Sequence, residues 1–208
     1  MAQRRSRRAG KDEPRRSLGP RARATRERLL EATAALLRER GLRGASVAEI
    51  ARRAGTSAAT FYQYFEDVDA ATLELVRRAR EAVPALLEAA RGSFAGEAGL
   101  ARARSLATRF FDLWDTHHAV LRIRDHAAEE GDRRFQRERR DAVRPLLEAL
   151  AAHVRADAGD GLHPMAAASA LATVLESAGA HHRALATLGI PREALIETSA
   201  RLLVDTLA

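Results

Sequence analysis

The stretch from Ser46 to Phe65, SVAEIARRAGTSAATFYQYF, limits the possible architecture more than any other part of the chain. Ser46 and Glu49 have the spacing of a capping box, so a helix is expected to open at Val47. Val47, Ile50, Ala51 and Ala54 then recur at i, i+3, i+4 and i+7, which is one apolar face. Gly55 should stop this helix after two turns, and Thr56 and Ser57 offer N-caps for another over residues 57–65. Two short helices joined this tightly must cross steeply. Such a crossing needs a small residue at the close approach, a residue tolerant of positive φ in the turn, and an apolar plug in the second helix. Ala51, Gly55 and Phe61 meet these needs in order. The spacing is that of a helix-turn-helix.

The second helix can be divided by face. Aromatic residues make up 4% of the chain, yet Phe61, Tyr62, Tyr64 and Phe65 cluster there, including both tyrosines. Ala58, Phe61 and Phe65 form the expected inward stripe, and the phenylalanines are expected to be plain core. Ala59, Thr60, Tyr62, Gln63 and Tyr64 remain for the outside. A tyrosine hydroxyl at the rim of a recognition helix can donate to a phosphate oxygen, and Ser57 and Thr60 can do likewise. The free N–H groups at the helix start also favour phosphate. Gln63 can read a base edge, with adenine its preferred partner, and Ala58 or Ala59 can touch a thymine methyl. With Ser46 and Thr56 at the helix starts, these residues are the DNA-contact candidates. Core packing is the competing reading for the two tyrosines.

The remainder is rich in Ala, Leu, Arg and Glu, all strong helix formers, and shows no period-two alternation. An all-α fold follows. The first helix is expected to start near Thr25 and end at Gly41. The fourth should run over 68–91 with a kink at Pro84. Others are expected over 97–116, 118–130, 132–157, 165–187 and 191–207, with residues 158–164 the most loop-like internal segment.

Charge is placed unevenly. The net +7 comes from 35 Lys+Arg against 28 Asp+Glu. Residues 1–24 hold nine of the basic groups and two of the acidic ones, which leaves the rest neutral. Residues 1–20 have few apolar side chains and read as a disordered basic arm. A basic arm beside a neutral body suits a polyanion, most often nucleic acid, with a solubilising tail as the alternative. There is no cysteine, which excludes disulfides and thiolate chemistry. No apolar run approaches the ~18–20 residues that span a bilayer, and the basic N-terminus leads into no apolar stretch like that of a secretory signal. A cytoplasmic protein without a membrane partner is the expectation.

Ser46, Ile50, Ala51, Ala54, Gly55, Ser57, Tyr62, Tyr64 and Phe65 fit the pattern S-x-x-x-I-A-x-x-A-G-x-S-x-x-x-x-Y-x-Y-F. In this the chain resembles the TetR-type bacterial transcriptional repressors over about residues 21–75. The resemblance implies an all-helical homodimer: a three-helix helix-turn-helix domain at residues 21–67, then a helical ligand-binding and dimerisation domain at 68–208. It also implies phosphate contacts from Thr60, Tyr62 and Tyr64, and a small-molecule effector rather than a bound cofactor. One departure stands out. The family's lysine at the start of the fourth helix is replaced here by Val68, preceded by Glu66 and Asp67, so a phosphate clamp is missing.

Within the C-terminal part, Leu106, Phe110, Phe111, Trp114, Leu121, Phe135 and Leu171 are the bulky candidates for an effector pocket. Ala168, Leu171, Leu175, Ala178, His182 and Leu185 line one face of the 165–187 helix. With Leu195, Leu202 and Leu203 they suggest a four-helix dimer interface. The doublets His117–His118 and His181–His182 point about 100° apart and make poor metal chelators, so no metal site is expected. Residues 122–140 are dense in both signs and read as a solvated face, with Arg122 or Arg124 a weak effector contact. The main reading is a ligand-responsive repressor on a palindromic double-stranded operator. The alternatives are a constitutive DNA-binding protein without an effector and an all-helical enzyme, which lacks any recognisable nucleophile or phosphate loop.

Overall fold

The computed structural model of the chain describes residues 19–154 and 161–208. Among these residues every regular element is a helix. The basic arm therefore lies outside the described residues except for its last two, and so do residues 158–160 of the 158–164 loop. Helix α1 spans Pro20–Arg40, α2 Val47–Arg53, α3 Ala58–Tyr62, α4 Val68–Ala79 and α5 Val83–Arg91. Helices α6 (Gly96–Glu129), α7 (Arg133–Ala151), α8 (Pro164–Ala186) and α9 (Arg192–Leu207) complete the body.

Several boundaries differ from the sequence reading, three of them for a plain local reason. Helix α1 begins five residues before Thr25, because Pro20 at the first turn is preset for helical φ and spends no N–H. Thr25 instead returns its hydroxyl to the Arg21 carbonyl. Pro84 does more than kink a long helix: a 3₁₀ turn at Arg80–Ala82 separates α4 from α5, and Pro84 sits in the first turn of α5. Conversely, the two helices expected over 97–116 and 118–130 are one 34-residue helix, since neither Gly nor Pro interrupts Thr116–His118.

Packing follows from these elements. Leu29, Leu30 and Leu36 of α1 enclose Ile50 and Ala51 of α2 and Phe61 and Phe65 around α3 in a small N-terminal core. A second core joins Leu86, Phe94, Leu106, Phe110, Trp114, Leu146, Leu150, Leu175 and Leu203 from α5 to α9 and the α5–α6 turn, with α6 at its centre. A third cluster bridges the two: Leu37 of α1 and Leu73 and Val76 of α4 meet Val120 and Ala128 of α6 and Phe135 of α7. Ion pairs reinforce this seam. Arg77 and Arg80 reach Glu138 of α7 at 2.8 and 3.2 Å, and Arg134 approaches Asp69 at 3.6 Å.

The face expected to dimerise is corrected in part. Ala168, Leu171, Leu175 and His182 are buried in their own subunit, and Leu203 is core. They share a helical face as their spacing requires, but the partner is α6 and α9 of the same chain. The opposite sides of these helices carry Val174 at 40% and Leu202 at 42% exposure. His182 donates its Nε2–H to the Asp115 carboxylate at 2.9 Å, where Arg183 and Arg192 converge as well. Burial raises the Asp115 pKa, but hydrogen bonds from Arg183 and His182 outweigh it and hold the carboxyl below its usual range.

Candidate DNA interface and inner cavity

The short helix pair is built by its caps. The Ser46 hydroxyl accepts from the Glu49 amide at 3.3 Å and opens α2. Glu49 does not reach back to complete the expected capping box; its carboxylate is held by Arg52 at 2.7 and 3.1 Å. Gly55 takes φ +65°, a backbone state that costs a residue with a Cβ. The Thr56 amide then donates to the Ala51 carbonyl at 2.9 Å, and Ser57 caps α3 through the Thr60 amide at 3.2 Å. Ser57 and Thr60 also share a hydroxyl contact at 3.0 Å. The Arg28 guanidinium donates to the Ala54 carbonyl and fastens the end of α2 to α1.

Helix α3 has five residues rather than the nine expected, with Gln63 as its C-cap and Tyr64 and Phe65 in the turn that follows. A helix this short sums few peptide dipoles, so its side chains dominate any attraction for phosphate. Phe61 and Phe65 are buried, their ring centroids 5.5 Å apart, and the Arg26 guanidinium lies over the Phe65 ring. Ser57, Ala59, Tyr62 and Gln63 are exposed, Tyr62 at 59%. Thr56, Thr60 and Tyr64 are half-buried, and Ser46 is exposed at the start of α2. Ala58, assigned to the inward stripe, is exposed instead, because it is the first residue of α3 and projects past the α1–α2 core. One of the two acids at the head of α4 serves the fold. Asp67 accepts from the Ala70 amide at 2.6 Å and caps the helix.

In the body, a narrow cavity of about 50 Å³ lies between α5, α6, α7 and α8. Phe110, Trp114 and Leu121 line it, together with Leu86, Leu146 and two ionisable groups, Arg124 and Glu176. Leu106 and Leu171 belong to the same core without facing the cavity. Phe111 packs beside His182 and under Arg192, and Phe135 sits in the bridging cluster, so neither is near it.

Arg124, expected on a solvated face, is only 7% exposed, bonded to Asp125 at 2.8 Å and 3.9 Å from Glu176. Burial, then the nearby Asp125 charge, pushes the Glu176 carboxyl up. Helical spacing alone carries the signal for Arg124: it follows Leu121 by three and Trp114 by ten, on the cavity side of α6. Among the described residues no three His, Asp or Glu side chains converge as metal ligands would. No helix among them is long and apolar enough to cross a membrane.

A helix-turn-helix presenting an exposed polar face, carried on a larger helical body, defines a DNA-binding regulator. Residues 86–206 match the family model described as Tetracyclin repressor-like, C-terminal domain. Residues 29–75 match that of bacterial regulatory proteins, tetR family. The chain belongs to the TetR family of transcriptional regulators. It is similar to the HTH-type transcriptional regulator BetI of Cronobacter sakazakii, with 32% identity over 101 residues. That alignment covers 47% of this chain and spans about half, 48%, of the relative's length. Among solved structures, the fatty acid degradation regulator FadR of Bacillus halodurans superposes with TM-score 0.66 at 16% identity, covering 91% of this chain and 97% of that one. FadR of Bacillus subtilis, in complex with stearoyl-CoA, gives 0.64 at 14% identity, covering 88% and 99%. Likeness at this identity shows a shared fold.

Proposed function

We propose that this TetR-family regulator is a ligand-responsive repressor that binds a palindromic operator as a homodimer. The observation that carries the reading is the split around α3: Phe61 and Phe65 anchor the helix while Ser57, Ala59, Tyr62 and Gln63 stand exposed beside one another. In this reading residues 1–20 are a basic arm, 21–67 the DNA-binding domain and 68–208 the effector-binding and dimerisation domain. Ser46, Thr56, Ser57, Thr60, Tyr62 and Tyr64 hold the phosphate backbone, while Ala58, Ala59 and Gln63 meet base edges in the major groove. Two recognition helices would sit about 34–36 Å apart in successive major grooves.

The inner cavity beside Trp114 is the proposed effector site. At about 50 Å³ it is far below the ~300 Å³ or more of a typical ligand pocket, so an effector must part α7 from α6 to enter. Helix α7 is ion-paired to α4 through Glu138 and Arg134, and α4 follows the recognition helix directly. Parting α7 therefore moves α4 and changes the separation of the two recognition helices. A coupling of about 1–3 kcal/mol is enough for release. The stearoyl-CoA in complex with FadR of B. subtilis supports an effector with a long apolar chain.

Selection of bound duplexes from a random pool tests the core of this reading. The expected product is a palindrome with half-sites about one helical turn apart. Enrichment of a non-palindromic sequence, or of none, would overturn it.

A further inference from the structure

An open groove of about 560 Å³, distinct from the inner cavity, lies between the C-terminal end of α1 and the middle of α6, where the DNA-binding domain meets the body. Its floor is apolar: Leu37, Leu42 and Ile123. Its rim is basic: Arg38 from α1, and His118 and Arg122 one helical turn apart on α6. Among the described residues no carboxylate lies within 4 Å of Arg38 or Arg122. The other basic groups are more engaged, Arg40 lying 3.9 Å from Glu49 and His126 3.3 Å from Glu130. None of the lining residues is acidic. The imidazole of His118 registers the resulting field. Burial and the guanidinium groups of Arg183, Arg122 and Arg38 hold its pKa below the usual range, against the pull of Asp115.

Uncompensated guanidinium groups flanking an apolar floor carry a self-repulsion that an anion relieves, and guanidinium favours carboxylate and phosphate oxygens. The volume lies in the range of small-molecule sites. We propose that this groove is a binding site for an amphipathic organic anion, its carboxylate or phosphate held between Arg38 and Arg122 and its apolar part on Leu37, Leu42 and Ile123. The site is separate from the inner cavity and does not rest on that cavity's being the effector site. An anion there clasps α1 to α6 and ties the DNA-binding domain to the body. It is a second point of ligand control, acting at the junction rather than through α7.

Titration calorimetry on the full chain tests this with four ten-carbon probes below their micelle concentrations: decanoate, decyl phosphate, decanol and decyltrimethylammonium. At least one anion should bind, the tighter of the two identifying the head group, with decanol and the ammonium ion at least 10-fold weaker. Arg38→Gln with Arg122→Gln should weaken the anion at least 10-fold, and Arg122→Gln alone should weaken it in the same direction. Both side chains are exposed, and unchanged thermal melting would confirm that the variants fold. Arg109→Gln, on an exposed part of α6 away from both the groove and the inner cavity, should leave the anion's affinity unchanged. Equal binding of decanol or the ammonium ion at the site that the double variant removes, unchanged binding to the double variant, or an equal loss on Arg109→Gln would each overturn the site. So would a double variant that keeps anion binding but loses affinity for duplex DNA with a shallower salt slope; the rim would then be a surface for the DNA backbone.

Discussion

Phe61 and Tyr62 are sequence neighbours with opposite roles, and the difference can be measured. Phe61 is fully buried among Leu29, Leu30 and Ile50, so Phe61→Ala should cost about 3–5 kcal/mol of stability. Tyr62 is exposed, and its ring contributes only an edge to Phe61 at 5.8 Å between centroids. Tyr62→Phe should therefore leave the melting temperature unchanged and weaken DNA binding roughly 2- to 10-fold, the worth of one hydrogen bond. Equal DNA affinity would remove Tyr62 from the interface. The split between these side chains was legible because it depends only on helical spacing over a few residues. Arg124 and His182 were not legible. Their burial depends on Glu176 and Asp115, which are 52 and 67 positions away and reach them only after folding.

At the scale of helices and segments, ends and breaks were legible where one residue decides them. Ser46, Gly55 and Gly41 act through local backbone geometry, and each ends or starts an element as expected. The continuity of α6 was not legible, because a pair of histidines weakens helix propensity without stopping the helix. The basic arm makes a prediction of its own. Asp67 is committed to capping α4 and Val68 cannot clamp phosphate, so deleting residues 1–20 should lower DNA affinity and flatten its salt dependence. Equal slopes of log K against log salt for both proteins would refute this.

Between α6 and α9, Arg104 grips Glu197 at 2.6 and 3.0 Å. That hydrogen bond holds the carboxyl at about 2, against an ordinary 4.5. A depressed acid stabilises the fold above its unfolded pKa, and the effect is lost as pH falls through the folded one. Thermal melts of the wild type and Glu197→Gln should thus differ at pH 5 and converge between about pH 4.5 and 2. A gap that persists at about pH 2 would mean that the charge is not the cause.

The molecule as a whole leaves Val174 and Leu202 exposed on helices whose other sides are buried at home. In a twofold assembly each substitution appears twice in one interface. Val174→Glu should weaken the proposed dimer at least 10-fold in sedimentation equilibrium and reduce operator affinity with it, whereas an unchanged mass would place the interface elsewhere. Helix α6 runs beneath all these parts without a break. Its 34 residues make a rod about 51 Å long. Trp114 lies at the cavity, Arg122 at the groove, and Val120 and Ala128 lie against the bridging cluster that holds α1 and α4. A stiff rod turns small angles into large displacements: pivoted at one end, a tilt of about 5° carries the other about 4 Å, most of a helical turn. An interrupted α6 would have absorbed that tilt in a hinge. This one delivers it to the seam beneath the DNA-binding domain.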